Sequence, residues 1–337
     1  MQTKFPGLRL VRAGLIALLS LFALSAALAQ SPAELWKPDI VLPAPAYPFT
    51  FVAYGDIRFT DESDTKHSSP PMRRAEVARI AQEKPAFLVI TGDLAFVGAN
   101  AQDWKVFDEE TAPWRKAGLE LLPVLGNHDV AGDEAQALKN YFQRFPKLES
   151  RRWYSVRAAN LMMFMLDSNS DDGAGSAQER WLDHGLEALP PDVDFVLVGL
   201  HHPPMTRSGD TVPGGGHSPR PQEQELGALL EKHQQKMRAR ILVVAGHVHN
   251  YERYQHGGVA YVVSGGGGAT PYMIKRADID FYRDPGASYH ICNLTVDHRE
   301  LRFQMLKLTM EKMQPEWTER DSFVLQAAEP RPPTSTQ

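Results

Sequence analysis

The chain has 337 residues, 43% hydrophobic and 23% charged, which is globular composition with length enough for one large domain. A net charge of −5, with no block of like charge, offers no basic face for nucleic acid. The single cysteine, Cys292, excludes an internal disulfide, so stability has to come from an apolar core.

Residues 1–29 read as a secretory signal peptide. Lys4, Arg9 and Arg12 precede the apolar run AGLIALLSLFALSAA, and Ala27-Leu28-Ala29 puts small residues at the −3 and −1 positions of a cleavage site. The run is short for a membrane span, which takes about 20 residues. Export to the periplasm or the extracellular space follows, with no membrane anchor left after cleavage. Residues 30–47 are proline-rich and predict an extended leader; residues 311–337 predict a C-terminal tail, disordered in its last part. One domain is expected between them, over residues 48–310.

Within that span, apolar strand-like runs alternate with helical patterns. PFTFVAYGD precedes the helix MRRAEVARIAQE. AFLVITGD precedes DWKVFDEETAPWRKAG, a helix interrupted at Pro113. LELLPVLGNHD precedes EAQALKNYFQRF. WYSVRAAN and LMMFMLDS read as a hairpin, followed by the helix AQERWLDHGLEAL. DFVLVGLHH precedes the helix QEQELGALLEKHQQKM. ILVVAGHVHNYERY, VAYVVSGGGG and the hairpin YHICNLTV/ELRFQMLKL complete the pattern. The fold class is therefore α/β (α+β), with mixed sheets covered by helices. Two loops stand out, residues 203–221 with Arg207, His217 and Arg220, and the glycine run of residues 264–271. Long polar loops of this kind form site rims or float on the surface.

The carboxyl ends of the strands carry the chemistry. They deliver Asp56, Asp93, then Asn127-His128-Asp129, then His201-His202, then His247 and His249. In open α/β sheets ligands gather at this edge. Each piece has an ordinary alternative: Gly-Asp after a strand caps helices, and Gly-Asn-His-Asp makes turns. A His-x-His pair on an extended segment would put both rings on one side. Jointly, imidazole, carboxylate and amide oxygen without thiolate suit Zn, Mn or Fe in a site that is not a closed structural zinc.

The ordered set GD, GDLAF, GNHD, HHPP and GHVHNYER resembles the calcineurin-like metallophosphoesterases, and its last motifs resemble the purple acid phosphatase branch without that branch's N-terminal β domain. The resemblance covers about residues 48–310. It implies a four-layer α-β-β-α sandwich of two mixed sheets, one or two metal ions (Fe, Mn or Zn), and hydrolysis of phosphate mono- or diesters by a metal-activated hydroxide. The implied substrate is a phosphorylated small molecule or other phosphoester. Carried over by position, Asp93 would bridge two ions, Asp56 and His249 would hold the first, and Asn127, His201 and His247 the second. His128 would be general acid or phosphate contact, oriented by Asp129. His202 and Asn127 would fall beside the substrate.

Two positions depart from the pattern. Arg58 stands where the family keeps a histidine, and Phe96 where the purple branch keeps a tyrosine. Neither side chain can ligate a metal. The first ion loses a protein ligand, and the tyrosinate that colours the iron enzymes should be missing. A weakened first site with Arg58 facing phosphate is the reading favoured here, because its forked donors suit phosphate; a salt bridge from Arg58 to Asp56 or an outer acid is the plainer alternative. A non-catalytic phosphate- or metal-binding protein on the same scaffold is the rival function.

Overall fold

The computed structural model describes residues 34–210, 217–278 and 280–329. The signal-peptide reading of residues 1–29 lies outside the described residues. Among those described, no helix is long and apolar enough to cross a membrane.

Two mixed sheets form the middle of the molecule. The first runs β13-β12-β11-β2-β3-β4, from β2 (Phe49–Tyr54), β3 (Phe87–Ile90), β4 (Glu120–Pro123), β11 (Tyr289–Val296), β12 (Glu300–Glu311) and β13 (Gln314–Gln326). The second runs β1-β5-β6-β7-β8-β10-β9, from β1 (Ile40–Val41), β5 (Tyr154–Ala158), β6 (Leu161–Met165), β7 (Phe195–Leu200), β8 (Arg240–Ala245), β9 (Tyr251–His256) and β10 (Val259–Ser264). Strands β2, β3 and β4 are parallel, as are β6, β7, β8 and β10.

The continuous apolar runs follow from burial on both faces. In β7, Phe195 and Leu197 join the core shared by both sheets, while Val196, Val198 and Leu200 join a second cluster with Leu182, Leu226 and Leu230. Those last three sit on helices α5 (Ala177–Glu187) and α6 (Pro221–Gln234). Over the other sheet lie α1 (Pro70–Glu83), α2 (Ala101–Glu110) and α3 (Ala112–Lys116), with Trp104, Phe107 and Trp114 fully or almost fully buried. Thr111 separates α2 from α3 and Pro113 sits in the first turn of α3, which matches the predicted interruption. The remaining helix, α4 (Glu134–Arg144), follows the Gly-Asn-His-Asp loop.

Two terminal assignments change. Within the expected tail of residues 311–337, whose last part, residues 330–337, lies outside the described residues, Gln314–Gln326 form a strand: β13 pairs with β12 from Glu300↔Gln326 to Glu311↔Gln314. Its polar face masked it in the sequence, because an edge strand with one solvated side carries alternating charges. The proline-rich leader is extended but packed. Ile40 pairs with Val156 in β5, and the Trp36 ring lies against Phe164 and Trp181.

Arg73 of α1 ties the first strand-end loop to the helical layer. Fully buried, it donates from Nε and Nη2 to the Glu110 carboxylate (both 2.8 Å) and from Nη1 to the Arg58 carbonyl (2.9 Å) and Ser68 Oγ (2.7 Å). Removing one member of such a buried pair strands its partner. Arg73→Met is expected to cost about 3 kcal/mol, read as a lower guanidinium unfolding midpoint at unchanged slope.

Candidate metal centre

Five loops converge, three from the ends of β2, β3 and β4 and two from the ends of β7 and β8. Asp56 (φ 57°), Asp93 (φ 53°) and His247 (φ 69°) all sit in the left-handed region, as does Arg58 (φ 53°). Each such residue costs on the order of 1 kcal/mol, and residues strained this way cluster at functional sites. The backbone holds them there: Asp56 N donates to the Gly92 carbonyl (3.0 Å), and the Asp93 carbonyl accepts from Ile57 N and Arg58 N (both 2.9 Å). The glycine run belongs to this scaffold. A Cβ on Gly265 would lie 2.8 Å from Asp56 Oδ2 and overlap the Val248 carbonyl, and Ala269 N donates to the Asp56 carbonyl (2.8 Å). Close backbone approach explains those glycines.

One group of donor atoms gathers around His201. His201 Nε2 lies 3.0 Å from Asn127 Oδ1, 3.2 Å from His247 Nδ1 and 3.4 Å from Asp93 Oδ1, and His247 Nδ1 lies 3.0 Å from Asn127 Oδ1. Metal–ligand bonds of about 2.0–2.2 Å leave neighbouring donors about 3.0–3.5 Å apart. His201 Nδ1 donates to the Thr91 carbonyl (2.8 Å), which leaves Nε2 with its lone pair free. Burial pushes the His201 and His247 imidazoles below their usual range; Asp93 opposes this at His201, and neighbouring imidazoles add to it at His247. Burial at both favours the neutral imidazole, the form that ligates.

The second group is Asp56, Asp93 and His249, whose ligand atoms lie within 4.8 Å of one another. His249 Nδ1 donates to the Thr270 carbonyl (3.1 Å), and its buried Nε2, 3.6 Å from Asp56 Oδ1, has no hydrogen-bond partner. Asp93 Oδ2 is likewise buried without one. Burial raises Asp56 well above the carboxylate range, and Asp93 raises it further. Burial would raise Asp93 too, but His201, His128 and Arg58 outweigh it and hold that carboxyl down at about 2. Burial, then Arg58, takes His249 down to about 3. Two buried carboxylates side by side, with an unpartnered oxygen and an unpartnered imidazole nitrogen, fit a cation. The residues present thus suit ions at both positions.

His128 and its surroundings differ from expectation. Its Nδ1 donates to the Phe96 carbonyl (2.6 Å), not to Asp129. The Asp129 carboxylate instead accepts backbone N–H groups of Leu94 (2.9 Å), Ala95 (3.1 Å) and Gly126 (2.9 Å), so it shapes the loops rather than the imidazole. His128 Nε2 accepts from Arg58 Nη2 (2.8 Å). Arg58 Nη2 is also 3.6 Å from Asp93 Oδ2, so the salt bridge of the plainer alternative forms, but with Asp93 rather than with Asp56 or an outer acid. Phe96 is a spacer: its ring stacks on His128 (5.3 Å) and His67 (4.9 Å).

The GHVHNYER segment also differs. It is not one extended run: β8 ends at Ala245 and β9 starts at Tyr251, with both histidines in the turn between. Their rings consequently diverge, His247 to the His201 group and His249 to Asp56. His202 packs beside them, 4.3 Å from the His247 ring, with Nδ1 2.8 Å from Ser168 Oγ. Burial, then His201, pushes it down to about 2. Of the three loop residues flagged in the sequence, only His217 reaches the centre, its Nδ1 2.7 Å from His247 Nε2. Arg207 pairs with Asp280 and Arg220 with Glu223. Ser168 and Tyr272, whose ring lies 5.5 Å from that of His249, carried no distinguishing signal in the sequence.

The family profile described as calcineurin-like phosphoesterase matches residues 50–251. The chain is 26% identical over 294 residues to Purple acid phosphatase 23 of Arabidopsis thaliana, covering 73% of this chain and 58% of that one. It is 25% identical over 284 residues to Probable purple acid phosphatase 20 of the same plant, covering 76% and 61%. The chain thus spans about 60% of the length of these relatives. In fold it is similar to a purple acid phosphatase from yellow lupin (Lupinus luteus) seeds, with TM-score 0.66, 16% identity and coverage of 87% and 55%. A dimetal phosphatase from Danio rerio matches with TM-score 0.55, 15% identity and coverage of 83% and 100%. The profile match spans more than half the chain and contains every loop of the centre: the chain belongs to the calcineurin-like phosphoesterase family.

Proposed function

We propose that this chain is an exported, metal-dependent phosphoesterase acting on phosphate mono- or diesters. The observation that carries this reading is the convergence of Asn127, His201, His247, Asp93, Asp56 and His249. Their ligating atoms point at one another, and two of them are buried without a protein partner. Asn127, His201 and His247 would hold one ion, Asp56 and His249 the other, with Asp93 between. Ions bound there supply Lewis acidity and an activated water near neutral pH.

The chain's own groups do the rest. Arg58 is always charged, and its buried Nε has no partner, so its fork is ready for a phosphate oxygen. His128 Nε2 now accepts from Arg58; once Arg58 turns to phosphate, that nitrogen is free to hold a proton for the leaving oxygen. The Phe96 carbonyl fixes the tautomer that makes this possible. His202 and His217 line the substrate side. The first site has three donors and a guanidinium 3.6 Å from Asp93 Oδ2, so it would bind its ion more weakly than the second.

Metal-free protein reloaded with Mn, Fe or Zn is expected to hydrolyse p-nitrophenyl phosphate or its bis ester, and to stop on chelation. No turnover of either ester with any of these metals would favour the non-catalytic binding protein. Export rests on residues 1–29, and an N-terminus at Gln30 in the mature protein would support it.

A further inference from the structure

Arg58 stands at the meeting point of the first ion's ligands and the phosphate side of the centre. Its backbone is fixed: N donates to the Asp93 carbonyl (2.9 Å), and the carbonyl accepts from Arg73 Nη1 (2.9 Å). Its side chain is held lightly, by one hydrogen bond to His128 Nε2 (2.8 Å), the 3.6 Å approach to Asp93 Oδ2, and a loose stack on Phe96 (5.8 Å). Asp93 Oδ2 has no hydrogen-bond partner, so the guanidinium is its nearest counter-charge in the described site. The same guanidinium acts electrostatically on Asp56 and His249, the other first-site donors. A cation entering there meets a fixed positive charge, because a guanidinium does not give up its proton.

Building on the phosphoesterase reading, we propose that Arg58 makes the first ion and the phosphate group bind cooperatively. An incoming phosphate draws the guanidinium from Asp93 Oδ2 onto its own oxygens and cancels the repulsion toward the ion. A bound ion, conversely, drives the guanidinium off Asp93 and presents it to phosphate. Linkage makes the two effects equal. The first position then fills mainly when substrate or product is present, and the chain's metal content depends on phosphate.

The test is calorimetric titration of metal-free protein with Mn²⁺, with and without saturating inorganic phosphate, for wild type and Arg58→Met. Wild type should bind one tight equivalent and one weaker, and phosphate should tighten the weaker by about tenfold or more. Arg58→Met should bind the weaker equivalent about tenfold more tightly than wild type without phosphate, and phosphate should help it much less. Phosphate touching both ions tightens them by itself, so equal enhancement in the two proteins overturns the proposal. Two tight, phosphate-independent equivalents in wild type overturn it, and so does a single equivalent under every condition. All three leave the phosphoesterase reading standing, whereas no binding of Mn²⁺, Fe²⁺ or Zn²⁺ in the same titration removes both. Arg58→Lys keeps the charge and should keep the coupling, and circular dichroism checks that each variant folds.

Discussion

Asp93→Asn is expected to empty both halves of the centre and to lower kcat/KM by about 10³-fold or more. The Asp93 carboxylate lies beside both groups of donors. Its Oδ1 lies 3.4 Å from His201 Nε2 and accepts the His128 N–H (2.9 Å), its Oδ2 makes no hydrogen bond, and the carboxylate groups with Asp56 and His249 on the other side. Asparagine keeps one carbonyl oxygen but replaces the other with an NH₂ that donates and cannot ligate. It also removes the negative charge that would compensate two cations held on either side of it. Metal analysis after dialysis, beside turnover of an aryl phosphate, checks both parts. Retention of two ions per chain by Asp93→Asn would remove the bridging role.

Gly126→Ala is expected to abolish most activity while the chain still folds. A Cβ at this position would overlap Asp93 N and Asp93 Oδ1 and stand 3.0 Å from Asp93 Cα. These atoms belong to backbone and to the bridging carboxylate, so no flexible side-chain end can yield. Overpacking of this kind costs about 1–3 kcal/mol, which a chain with two large apolar clusters can absorb. Displacement of the carboxylate is the larger consequence, because shifts of about 1 Å at a reacting centre cost about 10²-fold. Gly126 also exchanges two hydrogen bonds with Asp129: its N–H donates to Oδ2 (2.9 Å), and its carbonyl accepts the Asp129 N–H (3.1 Å). The loop therefore has little freedom to move aside. Thermal unfolding by circular dichroism, paired with Mn²⁺ affinity and turnover, separates the two effects.

Much of the architecture was legible because parallel strands buried on both faces are nearly continuous apolar runs. FLVI, FVLVGL and RILVVA announce themselves; Gly92 and Gly246 release the chain after the first and third, and His201-His202 follow the second directly. β13 was missed for the opposite reason. An edge strand with one wet face reads as polar, and its pairing partner alone makes it a strand. The resemblance implies that Asp129 orients His128, whereas His128 Nδ1 donates to the Phe96 carbonyl. The loop turns there, and three backbone N–H groups claim the carboxylate. His247 and His249 were read by strand alternation, but φ of 69° at His247 breaks the extended geometry and sends the two rings apart.

The sequence by itself determined the order of strands and helices, the residue types delivered at each strand end, and the absence of a histidine at Arg58 and a tyrosine at Phe96. These are local properties, set by side-chain period, turn chemistry and donor inventory. Only the tertiary structure decided which donors share a position, because three of the five loops come from one sheet and two from the other. Distances between loops of different sheets depend on how the two faces pack across their shared core, and no local pattern encodes that. The same packing put Arg58 against Asp93 and His128 rather than Asp56, and turned His217 inward while Arg207 and Arg220 found acids elsewhere.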